Sequence, residues 1–257
     1  MNTLILQRKD LILFGYRGSI AHNLYIPPSE PCSTDDTDYI GIFINDKDHY
    51  FGMKTHDHEE IFEGKDDIVL YELKKFARLL CKSNPNVISF LFNDKALLKE
   101  SIVGTMLLDK RDWFLTKEIY SSFKGYAQNQ MSKMVKGAYK GYMGEKRKKL
   151  VQKYGYDIKN ASHLIRLLTM CLEVLSEGKM TVWQSGHQRE YLLAIKKGQW
   201  AMEKVEREAK YLFQAIDEAY AVCPLPEKVN TDAVNELLVN MFEEYFYNEG
   251  IYRSVSL

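Results

Sequence analysis

The spacing of apolar residues divides the chain into a front part of short runs and a back part of longer periodic segments. Short, mainly apolar segments at residues 11–14, 38–44 and 67–71 are the candidate strands. Runs of this length next to turn residues predict β-strands. From residue 72 the apolar spacing changes to three and four, which predicts a helix over 72–82. Residues 87–92 are short and apolar, and fit either a strand or a helix.

The back part has the spacing of amphipathic helices. We expect helices over residues 117–142, 162–177, 191–217 and 231–247. The chain therefore predicts an α+β fold, in which a small mixed sheet with helices is followed by a mostly helical module. We place the boundary near residue 110, which gives two parts, 1–110 and 111–257.

The most informative polar pattern is Asp36-Thr37-Asp38, which opens the apolar run 39–44. If a strand begins here, its alternation puts both carboxylates on one face. Two negative charges so close are costly unless a cation neutralises them or one carboxyl takes up a proton. Oxygen-only ligands suit Mg²⁺ or Mn²⁺, which complete their coordination with water and substrate phosphates. The plainer alternative is an acidic turn at the start of a strand.

A Gly18-Ser19 turn follows the first predicted strand. Ser19 is a suitable N-cap for a short helix over residues 20–24. Free backbone N–H groups at such a terminus, next to a glycine that leaves the main chain accessible, suit a phosphate group. Taken alone, the segment is also compatible with any strand–turn–helix connection.

The order of strand, Gly18-Ser19, short helix and Asp36-Thr37-Asp38 on a second strand resembles the DNA polymerase beta-like nucleotidyltransferase superfamily. One departure is the distance from Ser19 to Asp36, because sixteen residues separate them and the proline-rich loop 27–31 makes this longer than usual. The resemblance implies a polymerase-beta-like core in which Asp36 and Asp38 hold Mg²⁺ (or Mn²⁺). It also implies that Gly18 and Ser19 hold the phosphates of a nucleoside triphosphate.

Segments 67–76, 84–86 and 156–168 are similar to the RNA-repair-pathway polymerase beta family of nucleotidyltransferases. The similarity covers roughly residues 10–175. Sites of this kind take a third carboxylate from a neighbouring strand. Asp67 is our first choice for a catalytic and metal-binding third acid, and Glu72, at the other end of that strand, is the rival. Their opposite parity excludes a shared face, and either acid could instead mark a strand boundary or a helix N-terminus.

Lys159, His163 and Arg166 are spaced i, i+4 and i+7, so they share one helix face. Such a stripe can bind a triphosphate or an RNA phosphate, the arginine through a bidentate fork. On spacing alone, a solvated polar face is the alternative. The similarity to the family's Lys-x-x-x-His-x-x-Arg-Leu segment favours nucleotide binding.

Between residues 124 and 153, nine lysines or arginines stand against one acid, and tyrosines are interleaved. Basic residues with aromatic neighbours favour contact with RNA, and we expect it at Lys146, Arg147, Lys148 and Lys149. A solvated helix face is the alternative. The segment His56-Asp57-His58 is expected to be a surface loop and not a metal site.

Composition limits the remaining possibilities. The 257 residues are 46% hydrophobic and 27% charged with a formal net charge of zero, so attraction to nucleic acid must come from a local patch. No apolar run approaches the length of about 18 residues that a membrane span needs. The four cysteines are far apart, which indicates reduced thiols in the cytoplasm.

The sequence therefore predicts a cytoplasmic nucleotidyltransferase with a two-metal mechanism. It would move NMP from a nucleoside triphosphate to a hydroxyl acceptor, an RNA end such as that of tRNA, and release pyrophosphate. The alternatives are a protein or small-molecule hydroxyl as acceptor, and a non-catalytic nucleotide- or RNA-binding module.

Overall fold

The computed structural model describes residues 3–33, 37–136 and 145–254. Its strands form one five-stranded sheet in the order β3-β4-β2-β1-β5, in which β2 and β4 are parallel and the other neighbours are antiparallel. The strands are β1 (Leu11–Tyr16), β2 (Thr37–Phe43), β3 (His58–Glu63), β4 (Asp66–Glu72) and β5 (Leu97–Glu100).

Helices connect the strands and make up the back part of the chain. They are α1 (Thr3–Leu6), α2 (Gly18–Ala21), α3 (Lys47–Phe51), α4 (Leu73–Cys81), α5 (Pro85–Leu91), α6 (Ile102–Leu108), α7 (Glu118–Lys136), α8 (Glu145–Tyr154), α9 (Ile158–Glu177), α10 (Gly186–Lys196), α11 (Met202–Val222) and α12 (Thr231–Ser254). Within the described ranges, none of the helices is long and apolar enough to cross a membrane.

The sheet has a different apolar partner on each face. Ile40 and Ile42 of β2 belong to a large hydrophobic cluster that continues through the helices as far as Met241. The opposite face carries a smaller cluster, which includes Ile5, Phe14 and Tyr39. In β2, Asp38 has the same parity as Ile40, so its side chain lies on the face that packs against the helices.

The predicted mixed α+β architecture is confirmed, and most of the expected elements are present. The apolar stretch 87–92 forms most of helix α5 and its C-cap, Phe92. The N-cap Asn84 accepts hydrogen bonds from the backbone N–H groups of Asn86 and Val87. Strands β3 and β5 were not predicted. His58, expected in a loop, is the first residue of β3. Both strands lie at edges of the sheet and alternate between exposed and half-buried residues, so their apolar signal is weak.

Two helix predictions were wrong in their boundaries. The segment 191–217 is divided into α10 and α11, because the chain turns at Gly198, against which the ring of Tyr154 packs too closely for any larger side chain. Helix α9 begins at Ile158 and not at residue 162. Its N-cap is Asp157, whose buried carboxylate accepts hydrogen bonds from the N–H groups of Lys159 and Asn160.

The division near residue 110 stays a prediction. The large hydrophobic cluster contains residues from both sides of that position, from Ile12 to Met241. Helix α9 packs against α7, α10 and α11, and its first turns face the end of the sheet where β1 leads into α2. A pocket therefore lies between the front and back parts of the chain.

Candidate active site

Gly18 and Asp38 touch where the turn after β1 crosses the start of β2. Gly18 has a φ of +63°, and a Cβ atom on it would lie 2.2 Å from Asp38 Oδ2. The N–H of Arg17 donates to the Asp38 carbonyl oxygen at 2.9 Å, which fixes the turn against the strand. Glycine accepts this left-handed backbone conformation without strain and leaves room for the carboxylate.

Asp67 lies beside Asp38 on the neighbouring parallel strand, where the two residues are paired in register. Paired residues of a parallel ladder project from the same face, so both carboxylates lie on the helix side of the sheet. The Asp67 Oδ2 atom forms an ion pair with the Arg17 guanidinium at 2.9 Å. Its other oxygen, Oδ1, is buried and has no hydrogen-bond partner among the described residues.

Helix α9 brings its basic stripe to the same place. A cavity of about 250 Å³ lies between the sheet end and the helix. Its lining includes six residues that the sequence singled out, namely Gly18, Ser19, Asp38, Lys159, His163 and Arg166. The expected common face of the last three residues is therefore present, and it faces the cavity.

Arg166 is held by a histidine and not by an acid. Its guanidinium donates a hydrogen bond to His22 Nε2, while His22 Nδ1 lies 3.1 Å from the Val182 carbonyl oxygen. Because arginine only donates, Nε2 must accept and Nδ1–H must donate, so His22 is neutral. Burial, followed by the charge of Arg166, holds the pKa of His22 well below its ordinary value. Burial also lowers the pKa of Arg166 to about 10, so this side chain is still protonated at neutral pH.

Lys196, at the end of α10, is a second buried cation in the cavity wall. Its ammonium donates to the Leu24 carbonyl oxygen at 2.6 Å. Burial and the charges of Lys159 and Arg166 lower the pKa of Lys196 to about 8, although Asp38 opposes the shift. The wall therefore concentrates positive charge opposite the Asp38 carboxylate.

His163 lies among these cations. The pKa of His163 is held well below its ordinary value, first by burial and then by the charges of Arg166 and Lys159. The imidazole is therefore neutral at physiological pH. It can accept or donate a hydrogen bond in the cavity without adding to the positive charge.

The donor set suits a divalent cation. Asp38 and Asp67 offer carboxylate oxygens side by side, and the unpartnered Asp67 Oδ1 is an oxygen that a cation would satisfy. Among the described residues, no three His, Cys, Asp or Glu side chains lie close enough to form a metal site. Asp36, the other half of the predicted carboxylate pair, lies outside the described residues.

Two details of the predicted site differ from expectation. Ser19 is not the N-cap of the helix: α2 begins at Gly18, and its N-cap is Arg17, which makes no side-chain cap hydrogen bond. Glu72, the rival third acid, is buried at the far end of β4. There it accepts hydrogen bonds from the Tyr50 hydroxyl at 2.7 Å and from the Lys75 N–H at 3.0 Å, so it caps α4.

The four basic residues at 146–149 are placed differently from one another. Arg147 donates to the buried carboxylate of Asp157 at 2.8 Å and to the Asn160 side chain at 2.8 Å. It therefore stabilises the start of α9. Lys146, Lys148 and Lys149 are exposed on α8, and Lys148 pairs with Glu145 at 2.9 Å.

The sequence did not identify three residues that structure the site, Arg17, His22 and Lys196. Arg17 precedes the glycine turn, but nothing in its spacing indicates a partner on β4. His22 bonds Arg166, 144 positions away in the chain, and Lys196 bonds the Leu24 carbonyl oxygen, 172 positions away. No local sequence pattern therefore identifies either residue.

No curated protein matches the sequence. A nucleotidyltransferase-like protein from Exiguobacterium sibiricum 255-15 is similar in structure at 10% sequence identity and a TM-score of 0.29, over 86% of this chain and 72% of its own. The sequence matches the RNA repair pathway DNA polymerase beta family over residues 17–240, which include every site residue described above. The chain belongs to the RNA repair pathway DNA polymerase beta family.

Proposed function

We propose that the protein is a metal-dependent nucleotidyltransferase that moves NMP from a nucleoside triphosphate to a hydroxyl of an RNA end, such as that of a tRNA. The observation that carries the proposal is the single cavity lined by Gly18, Asp38 and the basic stripe of α9. In this arrangement residues 1–110 supply the catalytic acids and residues 111–257 complete the nucleotide and acceptor site. The four free cysteines fit the cytoplasm as its location.

The reaction is a phosphoryl transfer. The acceptor oxygen bonds to the α-phosphorus, the bond from that phosphorus to the β-phosphate oxygen breaks, and pyrophosphate leaves. The hydroxyl proton passes to a site carboxylate or to water. Asp36, Asp38 and Asp67 would hold Mg²⁺ (or Mn²⁺), which would supply charge neutralisation for the transfer.

The remaining residues bind and orient the substrate. Lys159 and Arg166 contact the triphosphate, and Gly18 and Ser19 lie against its terminal phosphates. Neutral His163 orients a phosphate oxygen or the base by a hydrogen bond. Arg17, paired with Asp67 at 2.9 Å, positions that carboxylate beside Asp38.

An RNA acceptor is supported by the exposed lysines of α8, which lie next to the start of α9. Lys146, Lys148 and Lys149 offer a basic surface for the backbone of the acceptor. Arg147 acts in the fold, through Asp157. The RNA-binding role therefore belongs to the three lysines in this proposal.

The test is transfer of label from each of four α-labelled nucleoside triphosphates, with Mg²⁺, in the presence and absence of bulk RNA. We expect label in RNA and release of pyrophosphate. The variant Asp38→Asn should lose at least about 10²-fold in rate, because a site carboxylate is removed. The matched control is Asp66→Asn, an acid of the same strand pair whose parity places it on the opposite face.

Each other outcome contradicts a part of the proposal. Label in the protein itself would replace RNA by a protein hydroxyl as acceptor. Nucleotide binding without transfer would reduce the protein to a binding module. Equal rates for Asp38→Asn and Asp66→Asn would remove Asp38 from the mechanism.

A further inference from the structure

Lys196 is a buried ammonium, and the part of the chain that the structure describes gives it no buried counter-ion. Only 8% of the residue is exposed, and its Nζ atom donates one hydrogen bond, to the Leu24 carbonyl oxygen at 2.6 Å. Among the described residues no carboxylate forms an ion pair with it. An ammonium has three N–H donors, so two are available to a ligand in the cavity.

The groups that face Lys196 come from three elements. Lys159 and Arg166 of α9 are cations, and His163 beside them is neutral. Asp38 of β2 is the one acid of the described residues that acts on Lys196, and neutral His22 lies behind Arg166. Taking cations out of water is expensive unless an opposite charge compensates them. The two buried cations, Lys196 and Arg166, therefore favour the binding of an anion in the cavity.

We propose that Lys196 binds the phosphate chain of the nucleoside triphosphate together with Arg166, as a nucleotide-binding residue supplied by α10. The identity of the ligand rests on the proposed function, whereas the need for a polyanion rests on the charges of the cavity. A triphosphate fits this position better than an RNA backbone, because both cations are buried in a cavity of about 250 Å³. The exposed lysines of α8 serve the RNA.

Lys197, the next residue in the sequence, has a different environment from Lys196. Lys197 pairs with Glu30 at 2.8 Å and does not line the cavity. The two lysines are adjacent in the chain and have the same side chain. They differ in that Lys196 is buried and bonds the Leu24 carbonyl oxygen, whereas Lys197 is half-buried and pairs with Glu30. Lys197→Met is therefore a matched control for Lys196→Met, and Lys196→Arg keeps the charge.

The first experiment measures calorimetric binding of inorganic tripolyphosphate at pH 7 to the full chain and the three variants. We expect Lys196→Met to weaken binding by about 10- to 100-fold, the range of a lost charge-assisted hydrogen bond. Lys196→Arg should lose less, and Lys197→Met should stay within about twofold, as for a surface charge. Unchanged affinity in Lys196→Met would overturn the proposal. So would a loss confined to the binding of single-stranded RNA.

The second experiment compares the wild type with Lys196→Met. The pKa of Lys196 is about 8 in the free protein, and a bound anion must raise it. Tripolyphosphate also loses its last proton in this pH range, so the readout is the difference in proton uptake between the two proteins. Near pH 8.5 the wild type should take up more protons on binding than Lys196→Met, as measured in buffers of different ionisation enthalpy. Lys159, Arg166, Asp38, His22 and His163 are present in both proteins, so their contributions cancel to first order. Equal proton uptake by the two proteins would contradict the role of Lys196.

The two proposals fail in different ways. If the wild type binds tripolyphosphate through Lys196 but transfers no NMP to any acceptor, the proposed function is wrong and the anion site stands. If the wild type transfers NMP and Lys196→Met has an unchanged KM for the nucleotide, the proposed function stands and the role of Lys196 is wrong.

Discussion

Replacing Gly18 by alanine tests directly whether the turn after β1 sets the position of the Asp38 carboxylate. The new Cβ would lie 2.2 Å from Asp38 Oδ2, inside any permitted contact distance. Gly64, in the turn between β3 and β4, has the same φ of +63°, and a Cβ there meets nothing within 4 Å. The pair Gly18→Ala and Gly64→Ala thus separates the steric effect on Asp38 from the backbone effect.

The expected magnitudes follow from the two contacts. A left-handed alanine costs roughly 1–2 kcal/mol at either position. Gly18→Ala adds an overpacking cost of about 1–3 kcal/mol, since the carboxylate must move about 1 Å to reach an ordinary contact. A displacement of that size at a reacting centre costs about 10²-fold in rate, which corresponds to about 2.7 kcal/mol.

The assays are urea unfolding of both variants and single-turnover NMP transfer at saturating nucleotide. We expect Gly64→Ala to be less stable than the wild type but fully active, and Gly18→Ala to be less stable still and about 10²-fold slower. Equal stability losses, together with a wild-type rate for Gly18→Ala, would refute the claim that this glycine positions Asp38.

Two further predictions concern stability. His22 and His163 are neutral when folded, because their pKa values lie well below 6.5, whereas the unfolded chain takes up protons near pH 6.5. The free energy of unfolding should thus be at its full value above about pH 6.5 and fall by up to about 1.4 kcal/mol per pH unit for each histidine below it. His163→Gln should show a shallower fall in urea midpoints between pH 7.5 and 5. An unchanged slope would contradict the claim that burial keeps His163 neutral. Arg147→Met should cost about 1.5–3 kcal/mol, the range of a lost charge-assisted hydrogen bond, because the buried Asp157 carboxylate keeps only its hydrogen bonds from α9. Lys148→Met should change the urea midpoint little; similar midpoints for both would show that the Arg147–Asp157 pair is unimportant.

Local sequence patterns were sufficient to predict features that depend on interactions between residues close in the chain. The Lys159, His163 and Arg166 stripe follows from helical periodicity, and the structure places all three on the cavity side of α9. The strand that begins with Asp67 was visible as a change from apolar run to helical spacing. These features depend on residues within a few positions of one another, so the order of side chains is enough to predict them.

Helix boundaries were less predictable where a residue distant in the sequence determines them. Helix α9 begins at Ile158 because Asp157 caps it, and Asp157 is buried beside Arg147. The segment 191–217 was predicted as one helix, but the chain turns at Gly198 against the ring of Tyr154. The positions of Asp67 and Glu72 also depend on the sheet, which pairs Asp67 with Asp38 and leaves Glu72 to cap α4, so our proposal keeps Asp67 as the third acid.

The sequence by itself determined the family and the mixed architecture, and it predicted the residues to which we assign the chemistry, because turns, strands and helix faces are encoded over a few residues. Only the tertiary structure decided the charge balance of the cavity. It brings Lys196 to the carbonyl of Leu24 across 172 positions and Arg166 to His22 across 144 positions. Burial of these cations depends on the packing of α9 and α10 against the sheet end, and no local sequence pattern contains that information.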